Sequence, residues 1–415
     1  MDKKITKIIA EEIKDSRGNP TIKVTMWAGD KYGSFAVPSG ASTGTHEAHE
    51  LRDADGKGIK GAIEKVNNII APALVGQNVL NQEVIDGIMI KLDGTSNKDN
   101  LGGNAIIGVS IACAKVAAKV FNLETFEYLR TLAKIKFSRK IPYLYMNLIE
   151  GGKHTDNNLA FQEYHVVPIV NDADKAVEIG IKIQNSLKEI ILEELGVESI
   201  ILGDEGGFAP KIDDIKKPLE FLKRAIKENN LEKKVKLALD VAASSFYENG
   251  KYKIDGEYIL KEELIKIYGS LIDEFKLFSI EDPFDEENFE SFRKLKESNR
   301  TLFGLKKGLL VVGDDLTVTN RNLLAKAIEK GSINAMIIKP NQIGTLSETL
   351  ETMKLAKENG IELIISHRSG ETDDDFIADL AYAFGCFGLK SGAPLKPERK
   401  VKYDRLIKIS KNKFF

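Results

Sequence analysis

From residue 235 onward one repeated pattern constrains the fold more than anything else in the chain. A short apolar run ends in a polar or charged residue, and an amphipathic helix pattern follows. Val235-Lys-Leu-Ala-Leu ends in Asp240, Leu277-Phe-Ser-Ile in Glu281 and Leu309-Leu-Val-Val-Gly in Asp314. Ala335-Met-Ile-Ile ends in Lys339, and Glu362-Leu-Ile-Ile-Ser in His367. The last four end residues stand 25 to 33 residues apart, which suits one strand plus one helix. Strands alternating with helices build a parallel sheet. Enough such units close into a barrel, and a barrel places its chemistry at the C-terminal ends of its strands. The expected class is α/β.

The first third follows a different pattern. Ile5 to Ile13 and Thr21 to Trp27 are expected strands, joined by the turn-forming Asp15-Ser-Arg-Gly-Asn-Pro, and Gly33 to Val37 is a third. Ile59 to Ile70, Asn81 to Lys91 and Asn104 to Val120 carry apolar residues three and four apart, as helices do. The Lys/Arg-rich stretch from Arg130 to Lys140 separates the two patterns. Two domains are therefore expected, an α+β unit over 1–134 and an α/β unit over 141–415. A chain of 415 residues is too long for one ordinary core.

Composition removes several function classes. The 60 basic residues are interleaved with 62 acidic ones and the net charge is -2, so no basic stripe for nucleic acid is expected. Cys113 and Cys386 lack CxxC spacing, which argues against a disulfide framework or a zinc knuckle. Cys113, in an apolar run, is an expected core residue. No segment approaches the ~20 apolar residues of a membrane span, and the N-terminal apolar run is too short for a signal peptide. A cytoplasmic, reduced protein is expected.

An acid at one strand end says little, because Asp there also caps the next helix. Asp240, Glu281 and Asp314 end three successive strands and should converge. Converging carboxylates are costly to desolvate unless a cation sits among them. An all-oxygen set favours a hard ion, Mg²⁺ before Zn²⁺. Lys339, on the next strand, either pairs with those acids or acts as a base. The second role needs a pKa lowered by burial or nearby cations. Proton removal beside a carboxylate creates a dianionic enolate, which metal ions on that carboxylate stabilise.

Two further acids are placed for chemistry, Glu163 in Phe161-Gln-Glu-Tyr and Glu205 in Gly203-Asp-Glu-Gly-Gly-Phe. If they lie close together, repulsion raises one pKa and makes a general acid. Asp204 fits a structural turn. Arg368 and Ser369 offer a planar fork and a hydroxyl to a phosphate. Ser39-Gly-Ala-Ser-Thr-Gly lacks the GxxxxGK[ST] pattern of nucleotide loops and reads as a loop that closes over substrate. Gly102-Gly103 and Gly108 read as helix packing rather than a cofactor site.

Together these residues resemble the enolase family. The likeness runs from about Ile8 to Ile409 through Asp15-Ser-Arg-Gly-Asn-Pro-Thr, Pro38-Ser-Gly-Ala-Ser-Thr-Gly, Gly203-Asp-Glu-Gly-Gly-Phe-Ala-Pro, Leu239-Asp-Val-Ala-Ala-Ser, Ser279-Ile-Glu-Asp-Pro, Gly313-Asp-Asp-Leu, Ile338-Lys-Pro-Asn-Gln-Ile-Gly-Thr and Ser366-His-Arg-Ser-Gly-Glu-Thr. It implies a small α+β lid domain followed by an atypical (β/α)8 TIM-type barrel. It implies a glycolytic and gluconeogenic lyase that reversibly dehydrates 2-phosphoglycerate to phosphoenolpyruvate. It also implies two Mg²⁺ per site. Asp240, Glu281 and Asp314 would hold the first, and Ser42, with the substrate, the second. In the same likeness Lys339 removes the C2 proton, and Glu205, assisted by Glu163, protonates the departing C3 hydroxyl. Arg368 and Ser369 hold the phosphate, and Lys390, in Leu389-Lys-Ser-Gly, meets the carboxylate side. His154, counted with the catalytic residues, and Gln162 line the pocket, and His367 meets the closing loops. The family forms homodimers or octamers of dimers.

Departures from the family pattern cluster around the pocket. Glu150-Gly-Gly-Lys-His stands where Asn-Gly-Gly precedes the histidine. Thr155 replaces Ala, His165 replaces Met, and Lys396 replaces Arg. The segment from Asn122 to Ile141 is shorter and altered. Two alternatives follow: a paralogue running the same enolate chemistry on another acid, and a non-catalytic relative. Arg368, Ser369 and Ser42 favour a phosphorylated substrate over the first. Against the second, every assigned position carries a competent residue.

Overall fold

The computed structural model describes residues 3–40, 44–135, 140–155, 157–298 and 308–411. The chain opens with an antiparallel meander of β1 (Ile5–Lys14), β2 (Pro20–Ala28) and β3 (Lys31–Ala36). The β1–β2 turn forms because the Asp15 carboxylate accepts the N–H groups of Arg17 at 2.9 Å and Asn19 at 2.8 Å. Along β2 every second residue faces the core, and Ile22, Val24 and Met26 are fully buried.

The helix Gly103–Val120 packs on that sheet. A Cβ on Gly108 would lie 2.7 Å from Val24 Cγ2, and one on Gly33 would lie 2.4 Å from the Val116 nitrogen. Glycine at both positions permits the close approach, so the packing reading of Gly108 holds. Cys113 lies in this helix, fully buried, with its thiol donating to the Val79 carbonyl at 3.3 Å. The expectation that no segment approaches a membrane span needs correction. By length and composition this 18-residue helix could cross one, yet 89% of it is buried inside the fold. Its apolarity serves two packed faces rather than one. The sequence pattern also missed the helix Thr125–Leu132, which is started by a reciprocal cap between Glu124 and Glu127.

Eight strands close the barrel: β4 (Tyr143–Glu150), β5 (Glu163–Pro168), β6 (Val235–Asp240), β10 (Ser279–Glu281), β11 (Leu310–Gly313), β12 (Ala335–Ile338), β13 (Glu362–Ser366) and β14 (Gly388–Lys390). Between β6 and β10 lies a small sheet of β7 (Tyr247–Glu248), β8 (Lys251–Ile254) and β9 (Glu257–Ile259), which the strand–helix pattern gave no hint of. The ring order is β10-β11-β12-β13-β14-β4-β5-β6. The sheet is not wholly parallel: β5 runs antiparallel to both β4 and β6. Only a 12-residue connection separates β4 from β5, and its one short 3-10 turn among the described residues, Gly152–His154, is too short to carry the chain back across the barrel.

Inside the ring, Tyr145, Val167, Ala238, Phe278, Leu310, Val312, Ala335, Ile337 and Ile364 form one apolar cluster. Strand side chains alternate, so the inward residue two places further on reaches the rim. Ala238 leads to Asp240, Val312 to Asp314 and Ile337 to Lys339. On the reversed β5 the same stepping runs backwards, from Val167 through His165 to Glu163.

Candidate active site

The pairing registers place four acids side by side along the rim. Glu150 pairs with Glu163, Glu163 with Asp240, and Asp240 with Glu281, across β4, β5, β6 and β10. Of the four, Glu163 and Asp240 line a cleft, together with Glu205, Asp314 and Lys339. Lys390, from β14, knots part of this row together. Its ammonium donates to Asp240 at 2.8 Å and Glu281 at 2.9 Å and lies 3.2 Å from Glu163. Burial opposes the charge on Asp240, but Lys390 holds its pKa down to about 2. Glu281 is pushed well above the usual carboxylate range by burial and by the charge of Asp240. Two carboxylates so close and so buried call for a cation.

Asp314 turns to the next strand. It accepts from the Lys339 ammonium and from Gln342 Nε2 at 2.9 Å. Its backbone N–H and that of Asp315 donate to the buried Asp282 carboxylate at 2.9 and 2.7 Å, which fixes the turn after β11. Among the described residues, Asp282, Asp314 and Asp315 bring carboxylate oxygens within 4.8 Å of one another, as His154, Glu163 and Glu205 do with their ligand atoms. Burial and two neighbouring cations, Arg368 and Lys390, act to lower the Lys339 pKa, yet Asp314 keeps it raised. That is the opposite of what a base needs.

Glu163 and Glu205 do lie together. His154 stands between them, Nδ1 3.8 Å from Glu163 and Nε2 3.9 Å from Glu205. Their pKa values split as like charges require. Burial and the charge of Glu205 push Glu163 well above the usual range. Burial opposes ionisation of Glu205 as well, but the surrounding rings of His367 and His154 draw it well below. Burial pushes His367 itself down to about 4, and its Nε2 lies 3.2 Å from Glu205. His165, one of the departures, places Nε2 2.8 Å from Glu163 and is pushed down to about 3 by burial, so it supports Glu163 as a neutral ring.

On the remaining wall Ser369 Oγ lies 3.1 Å from His154 Nε2, and Gln162 also lines the cleft. Arg368 is buried and engaged by Glu47. Ser42 lies outside the described residues.

Two family models match the chain, "Enolase, N-terminal domain" over residues 5–129 and "Enolase, C-terminal TIM barrel domain" over 138–413. The chain belongs to the enolase family. The enolase of Methanocaldococcus jannaschii is 45% identical over 411 residues, covering 98% of this chain and 94% of that protein. The enolase of Methanopyrus kandleri is 44% identical over 419 residues, covering 99% and 96%. That of Thermococcus gammatolerans is 44% identical over 418 residues, covering 98% and 94%. Membership makes the chain a lyase of a generally magnesium-dependent family, and the buried acidic groups just described fit such an ion.

The enolase pattern also rests on residues the sequence did not single out. Arg399, fully buried, donates to the Arg368 carbonyl and to His367 Nδ1, both at 2.6 Å, and to the Ser369 carbonyl at 2.5 Å. It holds the Arg368–Ser369 turn after β13 by its backbone carbonyls. Nothing local marks it, because Pro397-Glu-Arg-Lys reads as a solvated helix start. Lys396, another departure, donates to the carbonyls of Gly203 at 3.1 Å and Asp204 at 3.0 Å, so a cation is kept at that place.

Proposed function

We propose that this site carries out the enolase reaction with Lys339 as the base and the Glu163–Glu205 pair as the acid. The overall reaction is the reversible dehydration of 2-phosphoglycerate to phosphoenolpyruvate, a step of glycolysis and gluconeogenesis. One observation supports the division of labour: β12, which Lys339 directly follows, and β5, which begins with Glu163, stand four strands apart in a ring of eight. Base and acid therefore approach from opposite walls. Lys339 takes the proton from C2, the C3–O bond breaks, and the hydroxyl leaves as water with the proton the glutamate pair supplies. His154 lies between the two acids, 3.8 Å from Glu163 and 3.9 Å from Glu205. Arg368 and Ser369 hold the phosphate, Lys390 meets the carboxylate side, and Gln162 and His367 shape the pocket.

A divalent cation held by Asp240, Glu281 and Asp314 would neutralise the acid that keeps Lys339 protonated and would stabilise the charge that builds on the substrate carboxylate. We assign a second Mg²⁺ to Ser42 and the substrate. The junction between the lid and barrel domains is placed between 134 and 141. Val197, Ile201 and Leu202 are 73, 48 and 52% exposed within one short stretch, which supports a homodimer, alone or in an octamer. The protein is assigned to the cytoplasm. The deciding experiment incubates the purified protein with 2-phosphoglycerate and Mg²⁺ and follows phosphoenolpyruvate. Absence of product with metal bound would overturn the reading.

A further inference from the structure

Glu150 stands where the family pattern has asparagine, and it is wholly buried at the end of β4. Its carboxyl does not face the cleft's metal acids. It points into the loop Gly203-Asp-Glu-Gly-Gly, which wraps around it. Oε1 accepts the backbone N–H of Glu205 at 3.2 Å and that of Gly207 at 2.6 Å, and Oε2 accepts the Glu205 N–H at 3.2 Å. The loop is built to admit this side chain. A Cβ on Gly203 would lie 2.1 Å from Glu150 Oε2, and one on Gly207 3.1 Å from Glu150 Cγ. The same strand also steadies the far end of the residue it grips, since Asn147 Nδ2 donates to Glu205 Oε2 at 3.2 Å. The backbone of β4 closes the arrangement, with the Glu150 N–H on the Phe208 carbonyl at 2.8 Å.

We propose that Glu150 is a positioning residue, whose buried carboxyl fixes the backbone of Glu205 and so sets the reach of that residue toward the departing hydroxyl. This rests on the assignment of Glu205 to the acid half of the reaction. Glu150 touches neither the phosphate side nor Lys339, so its influence is confined to C3–O cleavage. Proton removal at C2 belongs to the opposite wall and proceeds without it.

The two halves can be read separately. In deuterated water, exchange of the C2 hydrogen of 2-phosphoglycerate reports Lys339, and phosphoenolpyruvate formation reports both halves. Glu150→Asp withdraws the acceptor oxygens by one methylene while keeping the charge. It is expected to slow phosphoenolpyruvate formation by about 10- to 100-fold, with C2 exchange and KM within about threefold of the parent, since a displacement near 1 Å has effects of that order. Glu150→Gln keeps an oxygen at the place of Oε1, which alone reaches both amides, and is expected to recover phosphoenolpyruvate formation to within about threefold. Parallel loss of both rates in the aspartate variant, or no loss in either, overturns the proposal. So does a glutamine variant as slow as the aspartate one. Glu205→Gln serves as the control: if it fails to separate exchange from elimination, the assignment of Glu205 falls, and the role of Glu150 falls with it. If Glu205→Gln separates them and Glu150→Asp does not, only the role of Glu150 falls.

Discussion

Arg368 and Glu47 form a buried ion pair that ties the segment after β3 to the barrel. Arg368 Nη1 donates to Glu47 Oε2 at 2.9 Å and Nη2 to Oε1 at 3.3 Å, and the two side chains are 4% and 7% exposed. Glu47 also accepts the Gly44 N–H at 3.0 Å, so the pair anchors the end of the Gly/Ser/Thr loop. Removing one partner of such a pair leaves a buried charge uncompensated. Glu47→Gln should therefore destabilise the protein by ~3–5 kcal/mol. Inorganic phosphate should restore part of this by occupying the Arg368 fork. Thermal melting with and without phosphate checks it, and an unchanged melting temperature would show that Glu47 contributes nothing.

Lys339 is the assigned base, and bases of this kind contribute about 10²–10⁴-fold in rate. Lys339→Ala should lose at least about a hundredfold in turnover, and C2 hydrogen exchange should fall with it. A loss below tenfold would remove Lys339 from the mechanism.

The like-charged acids at the rim should make the folded state sensitive to Mg²⁺. A ligand that binds only the folded protein at a hundred times its Kd adds about 2.7 kcal/mol of stability. Chelation should thus lower the melting temperature, and Mg²⁺ should raise it again in a saturable way. In Asp240→Asn the Mg²⁺-dependent rise should shrink or vanish. A full rise in that variant would place the ion elsewhere.

Burial and the charge of Glu205 push the Glu150 carboxyl from 4.5 up to about 8, while the amides it accepts and Arg399 pull the other way. A carboxyl raised on folding binds more protons in the folded than in the unfolded chain between those two values. Its contribution to stability is complete below 4.5 and is lost as the pH rises through 8. Glu150→Gln has no such loss, so its stability relative to the parent should climb between pH 5 and 8. Denaturant melts of the two proteins across that range check the sign. A pH-independent difference would mean that the Glu150 carboxyl titrates normally.

Asp240, Glu281, Asp314 and Lys339 were legible in the sequence because each ends an apolar run, and a barrel interior repeats that arrangement strand after strand. Glu163 obeys the same geometry but begins its strand, because β5 runs backwards. Its stretch, Glu-Tyr-His-Val-Val-Pro, carries no mark of direction. Arg399, and the contacts of Glu150, which the sequence marked only as a departure from the family pattern, were invisible for a different reason. Each acts on backbone atoms of a segment far away in the chain, and such docking leaves no local pattern. Thr125–Leu132 was missed because eight residues hold barely two turns of periodicity. The lid strands were read within three residues of their ends, since alternation and turn chemistry agree there.

The row of paired acids across β4, β5, β6 and β10 has a bearing on how this barrel can change over time. Glu163 and Asp240 reach the cleft because each shares the inward phase of its strand, and the β5–β6 ladder locks those phases together. Adding or deleting a single residue within β5 would turn its inward set outward. It would carry Glu163 and His165 away from the cleft at one stroke. β5 pairs with β6 residue for residue along its whole length and has no slack for such a change, whereas β4 carries a register shift between Asn147 and Ile149.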